Sequence, residues 1–218
     1  MRAATRTALL LAAIWLIMGD KVMAAQPGSL DIVQGQSGQI EGKSVGVAWT
    51  AEDGTSAQIV VAGNAGGASW EVLCDVHPSE IVSLGPQLVE VTAITPSIGE
   101  KHGAVSFRPH AGGDAAPASD VVMLPAGGRL RLDGPSVMTA TDFSAVSWQP
   151  DEQKPASVTA EWQPSRFPKT ATPASDITRQ DLRVGSTATV GHNRVTVAAI
   201  RGATQQNQAT LVLRVAHQ

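Results

Sequence analysis

The sequence predicts an all-β protein built as two tandem immunoglobulin-like β-sandwich domains related by internal duplication, with a single pseudo-symmetric sandwich or barrel as the alternative. Three observations carry this reading. Short runs of β-branched residues alternating with polar ones are set apart by glycine, proline, asparagine and aspartate at intervals of roughly 8–12 residues, and helical periodicity is missing after the N-terminal segment. The third observation is a repeat. "GPQLVEVTAI" (85–94) and "GHNRVTVAAI" (191–200) lie 106 positions apart and share Gly85/Gly191, Val89/Val195, Val91/Val197, Ala93/Ala199 and Ile94/Ile200.

The strand runs are "SVGVAW", "AQIVVA", "QLVEVTAI", "AVSF", "RLRL", "RVTVAAI" and "ATLVLRV". Alternate side chains of a strand point to opposite faces, so residues two apart share a face. In "WEVLCDV" this sets Trp70, Val72, Cys74 and Val76 on one face, and Trp49 and Trp70 both read as core residues. The shared positions of the repeat are a glycine, which fits a turn of positive φ, and alternating apolar residues. They mark a duplicated strand. A second correspondence, "GQIEGKSV" (38–45) with "GRLRLDGPSV" (128–137), pairs Ile40/Leu132, Gly42/Gly134, Ser44/Ser136 and Val45/Val137 at an offset of 92.

The 14-residue difference between the two offsets is taken up by 148–173, which holds Pro150, Pro155, Pro164, Pro168 and Pro173. Proline cannot donate to a sheet ladder, so this stretch reads as a proline-rich loop. The segment "PHAGGDAAPAS" (109–119) has linker composition. The expected organisation is a signal peptide over 1–24, domain 1 over 25–110, a linker over 111–119 and domain 2 over 120–218.

Arg2 and Arg6 precede the apolar run "ALLLAAIWLIMG" (8–19), and small residues follow up to Ala24, the layout of a secretory signal. Its 12 apolar residues fall short of the roughly 20 that span a bilayer. Cleavage would leave 13 basic and 18 acidic residues, and a net charge of −5 in place of −3. Scattered charges with an acidic excess give no footprint for nucleic acid, and no later run is long enough for a membrane span. The expected location is periplasmic or secreted. With one cysteine the chain cannot form an internal disulfide, and Cys74 reads as a small buried hydrophobe.

Catalytic patterns are sparse. "GQSGQ" (35–39) lacks the last glycine of a nucleophile elbow. Cys74 and His77, three apart, fall on opposite faces of a strand. His77, His102, His110, His192, His217, Cys74 and Asp114 are not spaced as the close ligand pairs that zinc sites use. His102 and His110 bracket one strand and should lie at its opposite ends. The expectation is therefore no cofactor, no metal and no catalytic residue. The aromatics best placed to anchor an interface are Trp148 and Trp162, which flank the proline-rich loop. These observations point to a non-catalytic binding or assembly protein of the bacterial cell envelope whose partner is another envelope or secreted protein. Loops or exposed sheet edges would engage that partner. A metal-handling or hydrolytic periplasmic protein, and an inhibitor of a secreted or envelope enzyme, are the alternatives.

Overall fold

A computed structural model describes residues 29–40, 43–84, 87–110, 121–133, 140–147, 157–165, 176–204 and 208–218. The expected signal segment, the linker 111–119, Asp114, Gly85 and Trp148 lie outside the described residues. The regular elements are all strands. The first eight are β1 (Leu30–Val33), β2 (Ser37–Ile40), β3 (Lys43–Thr50), β4 (Ala57–Ala65), β5 (Ala68–Val76), β6 (Ile81–Leu84), β7 (Gln87–Thr95) and β8 (Ala104–His110). The other eight are β9 (Val121–Pro125), β10 (Arg129–Leu132), β11 (Thr141–Ser147), β12 (Val158–Pro164), β13 (Thr178–Leu182), β14 (Thr187–Val190), β15 (Asn193–Arg201) and β16 (Thr210–His217). Each strand run read from the sequence falls inside one of them, except that "ATLVLRV" starts one residue before β16.

The strands form three antiparallel sheets. One has eight strands in the order β2-β3-β4-β5-β10-β11-β12-β13; the others run β1-β8-β7-β6 and β9-β16-β15-β14. Adding eight to each strand number of the second sheet gives the third. Nearly all hydrogen-bonded neighbours are consecutive in sequence. The exceptions are β1–β8 and β9–β16, which join the first and last strands of each half, and β5–β10, which joins the halves. The all-β expectation holds; the connectivity among the described strands is a meander and does not confirm the immunoglobulin-like part of it, which would carry Greek-key crossings. Alternation identifies a strand and its buried face. It carries no information about which strand lies alongside.

The eight-stranded sheet buries one face. In β5 the buried residues are Ala68, Trp70, Val72, Cys74 and Val76, as alternation requires. Across the junction Leu130 lies opposite Val72 and Leu132 opposite Trp70, so the apolar face continues from one half into the other. Leu130 and Leu132 are fully buried. One contiguous core runs from Ile32, Val91 and Phe107 through Val72 and Leu130 to Phe143 and Leu213. The two four-stranded sheets form the opposing layer, with β6 lying beside β9.

Among the described residues four hairpins carry a β-bulge at matching places: between Val47 and Trp49, Val91 and Ala93, Ala145 and Ser147, and Val197 and Ala199. An extra residue shifts the alternation by one and turns the rest of the strand over. Trp49 therefore points outward and is 48% exposed, while Thr50 takes the buried place at 2%. This corrects the core assignment of Trp49; Trp70, on an unbulged strand, is buried as expected.

The two repeated segments share their bulge, at Thr92 and Ala198, and also the corner before it. Ser79 N donates to Val91 O at 2.7 Å and Gly185 N to Val197 O at 2.8 Å, again 106 residues apart. Both corner residues have positive φ, 67° and 87°. Gly191 has φ 60°, and an added Cβ would run into the Thr141 side chain, so the glycine of the second repeat is needed both for conformation and for space.

One further correction concerns 148–173. The stretch is not loop throughout, because β12 runs through it as an interior strand between β11 and β13. The proline within β12 is Pro164, at its last position opposite Thr141, where a missing donor costs least. The other four prolines lie outside the described residues.

Candidate functional site: the free sheet edges

The eight-stranded sheet ends in β2 on one side and β13 on the other, and among the described residues neither has a further hydrogen-bonded strand. The direction of their outer backbone groups follows from neighbouring hydrogen bonds. Val47 N donates to Gln36 O, so Gln36, Gly38 and Ile40 turn their N–H and C=O toward β3. Ser37 and Gln39 turn theirs outward. On the other side Ser165 N donates to Ala140 O, which points alternate residues of β12 at β11 and the rest at β13. Thr178, Gln180 and Leu182 then bond to β12, and Arg179 and Asp181 present their N–H and C=O to the outside. All four outward-facing residues are exposed.

Side chains restrain these edges. Arg179 Nε donates to Glu161 at 2.7 Å, and Thr159 donates to Asp181 at 2.6 Å. Charge and shortness are the usual means of keeping an edge from indiscriminate pairing. Of the two aromatics singled out in the sequence, Trp162 lies on β12, one strand in from the β13 edge. It is half-buried and stacks on Phe143, with ring centroids 6.1 Å apart and planes 21° from parallel. It forms part of the core wall next to that edge.

The remaining chemistry-bearing residues stay apart. His77 sits in the corner after β5, with Nδ1 3.5 Å from Glu80. His217 Nδ1 meets Asn193 Oδ1 at 3.3 Å. His102 and His110 lie before and at the end of β8. Among the described residues no three His, Cys, Asp or Glu side chains are grouped to hold a metal ion. Cys74 is 3% exposed, and burial, reinforced by the nearby charges of Glu80 and Asp75, pushes its thiol up to about 12. It lines a cavity of about 10 Å³ with Trp70, Val82 and Met123, room at most for one water molecule. Trp70 Nε1 is buried without a hydrogen-bond partner among the described residues, while Lys43 Nζ sits 5.0 Å from the ring centroid.

No protein-family model, curated protein or solved structure matches this chain. What the arrangement can do therefore rests on the geometry alone. Sequence reasoning did not locate the two edges as a site, because "SGQI" and "TRQDL" lack the apolar alternation that marks a strand with a buried face. The available signal was the likeness of the segments around Ile40 and Leu132, which lie on β2 and β10.

Proposed function

We propose that the chain is an exported, non-catalytic binding or assembly protein of the bacterial cell envelope, periplasmic or secreted, that works through protein–protein contacts at its sheet edges. One observation carries the reading. The outer strands β2 and β13 each present exposed, outward-turned amides and carbonyls with no strand hydrogen-bonded to them on that side among the described residues. An extended segment of another protein can add to such an edge through main-chain hydrogen bonds, with neighbouring side chains setting specificity. The exported location rests on the N-terminal basic and apolar pattern.

The same reading includes a duplicated architecture, with residues 25–110 and 120–218 as two copies of one eight-stranded unit. It is supported by the identical order of the two four-stranded sheets, the matching bulges and the matching corners at Ser79 and Gly185. Pull-down from envelope extracts with crosslinking tests the function. The expected result is a specific partner captured by the wild-type chain and lost in Gln39→Pro or Arg179→Pro, each of which removes one outward N–H. Recovery of no edge-dependent partner across growth conditions refutes the reading.

A further inference from the structure

The junction between the halves shows what the free edges are shaped to receive. β5 pairs with β10 inside the chain. Each of these strands has a counterpart in the other half, and the counterparts are the two strands left at the outside.

β13 is the counterpart of β5 at an offset of 106. Val76 and Leu182 are both buried at the end of their strands. Asp75 and Asp181 each accept a hydrogen bond from the strand before, from Gln58 Nε2 at 3.1 Å and from Thr159 Oγ1 at 2.6 Å. The corners that follow match bond for bond: Glu80 N donates to His77 O, and Ser186 N to Arg183 O. β2 is the counterpart of β10 at an offset of 92. Gly38 lies opposite Val45 and Leu130 opposite Phe143, each two residues before its strand's bulge flank, Val47 or Ala145.

We infer that the β13 edge of one molecule pairs with the β2 edge of a second copy, in the register that β5 and β10 already use. This rests on the reading of the edges as binding surfaces and names their partner. Leu73 opposite Arg129 becomes Arg179 opposite Ser37 of the second copy, and Val72 opposite Leu130 becomes Thr178 opposite its Gly38. The hydrogen-bonding directions agree. In the internal junction Asp133 N donates to Ser69 O, so Ser69, Glu71 and Leu73 face β10. Their counterparts include Arg179, which faces outward, and Arg179 meets Ser37, which also faces outward.

The contact is head-to-tail. The edge used on one molecule differs from the edge used on the next, so each added copy leaves one of each free. Repeating such an operation builds an open chain, or a ring where the rotation closes, rather than a two-fold dimer. The apolar pair at the internal junction is replaced by Thr178 and Gly38, which bury little nonpolar surface. Association at these edges is therefore reversible and concentration-dependent, whereas the internal junction is permanent.

The test uses two edge-blocked variants of the full protein and sedimentation velocity over a wide concentration range. Wild type should grow in mass with concentration through dimer to longer species. Gln39→Pro alone and Arg179→Pro alone should each stay monomeric at the same concentrations. Their equimolar mixture should form a dimer and nothing larger, because the intact β13 of Gln39→Pro can pair only with the intact β2 of Arg179→Pro. A monomeric wild type, association of either variant alone, or a mixture that forms no dimer overturns the inference.

Should a proline variant fail to fold, Ser37→Cys with Arg179→Cys in a Cys74→Ala background gives the same decision. Hydrogen-bonded antiparallel partners have Cα atoms about 5.5 Å apart, within disulfide range. Oxidation should yield a ladder of intermolecular disulfides, and Ser37→Cys with Gln180→Cys should not. No ladder from the first pair, or equal ladders from both, refutes the register. Capture of a different envelope protein at the edges by a chain that remains monomeric overturns this inference and leaves the proposed function standing. Neither foreign capture nor self-association removes both.

Discussion

Replacing Cys74 by alanine should change how the protein's stability depends on alkaline pH. The thiol is 3% exposed on the inner face of β5, and its pKa is pushed from 9.0 to about 12, chiefly by burial and then by Glu80 and Asp75. The folded chain therefore holds the neutral thiol over a range in which the unfolded chain has released the proton. Stability from this group is fully present below pH 9 and is lost as pH rises from 9 toward 12, because only the unfolded state ionises there. At about 1.4 kcal/mol per unit, three units amount to roughly 4 kcal/mol, a large part of the roughly 5–15 kcal/mol that holds a typical domain together. Urea unfolding at a series of pH values, for wild type and Cys74→Ala, measures the difference. The chain has no tyrosine, so thiolate absorbance can be followed in the same samples without phenolate overlap. The variant starts less stable, having lost a buried sulfur, and should lack the thiol's share of the alkaline decline. Equal declines in the two proteins, or a native thiol that ionises near 9, would refute the reasoning.

Leu130→Ala removes a fully buried side chain facing Val72 across the junction and should cost roughly 2–5 kcal/mol. Because the core is continuous, urea unfolding should shift as one transition; two transitions with one unmoved would contradict a shared core. Gly66 and Gly127 both have positive φ, 55° and 73°, but only a Cβ on Gly66 would run into a carbonyl, that of Val215. Gly127→Ala should cost about 1–2 kcal/mol of backbone strain and Gly66→Ala clearly more, so equal melting shifts would count against the contact between that turn and β16. Trp49→Ala, at a residue 48% exposed, should leave stability within about 0.5 kcal/mol of wild type. Trp162→Ala removes a ring stacked on Phe143 and should cost about 1–3 kcal/mol; the reverse ranking would contradict the bulge at Ala48.

Much of the fold was legible because a half-buried strand must alternate. "WEVLCDV" declared its inner face, and that assignment placed Cys74 and Trp70 correctly in the core. The likeness of 85–94 and 191–200 was legible for the same reason: their shared valines, Val89, Val91, Val195 and Val197, are all buried. Alternation misled where a bulge intervened. Trp49 follows two inward valines by the count, yet one extra residue against β4 sends it outward. Under the proposed duplication, the pairing of Val45 with Gly38 and of Phe143 with Leu130 makes Phe143 the counterpart of Val45, a match that the spacing of the second correspondence does not give.

The candidate site was hidden for a different reason. Ser37, Gln39, Arg179 and Asp181 matter through backbone groups, which every residue but proline carries alike, and no side-chain pattern records whether an edge is covered. By itself the sequence determined that the protein is made of strands, which faces of most of them are buried, and that no internal disulfide supports it. Tertiary structure alone decided that β5 pairs with β10, through residues as distant as Leu73 and Arg129. That pairing leaves β2 and β13 outermost in the sheet among the described strands. Alternation is a local consequence of one strand's geometry, whereas adjacency depends on how the whole chain closes its layers. Which edges stay free is therefore known only once every other strand has found its neighbours.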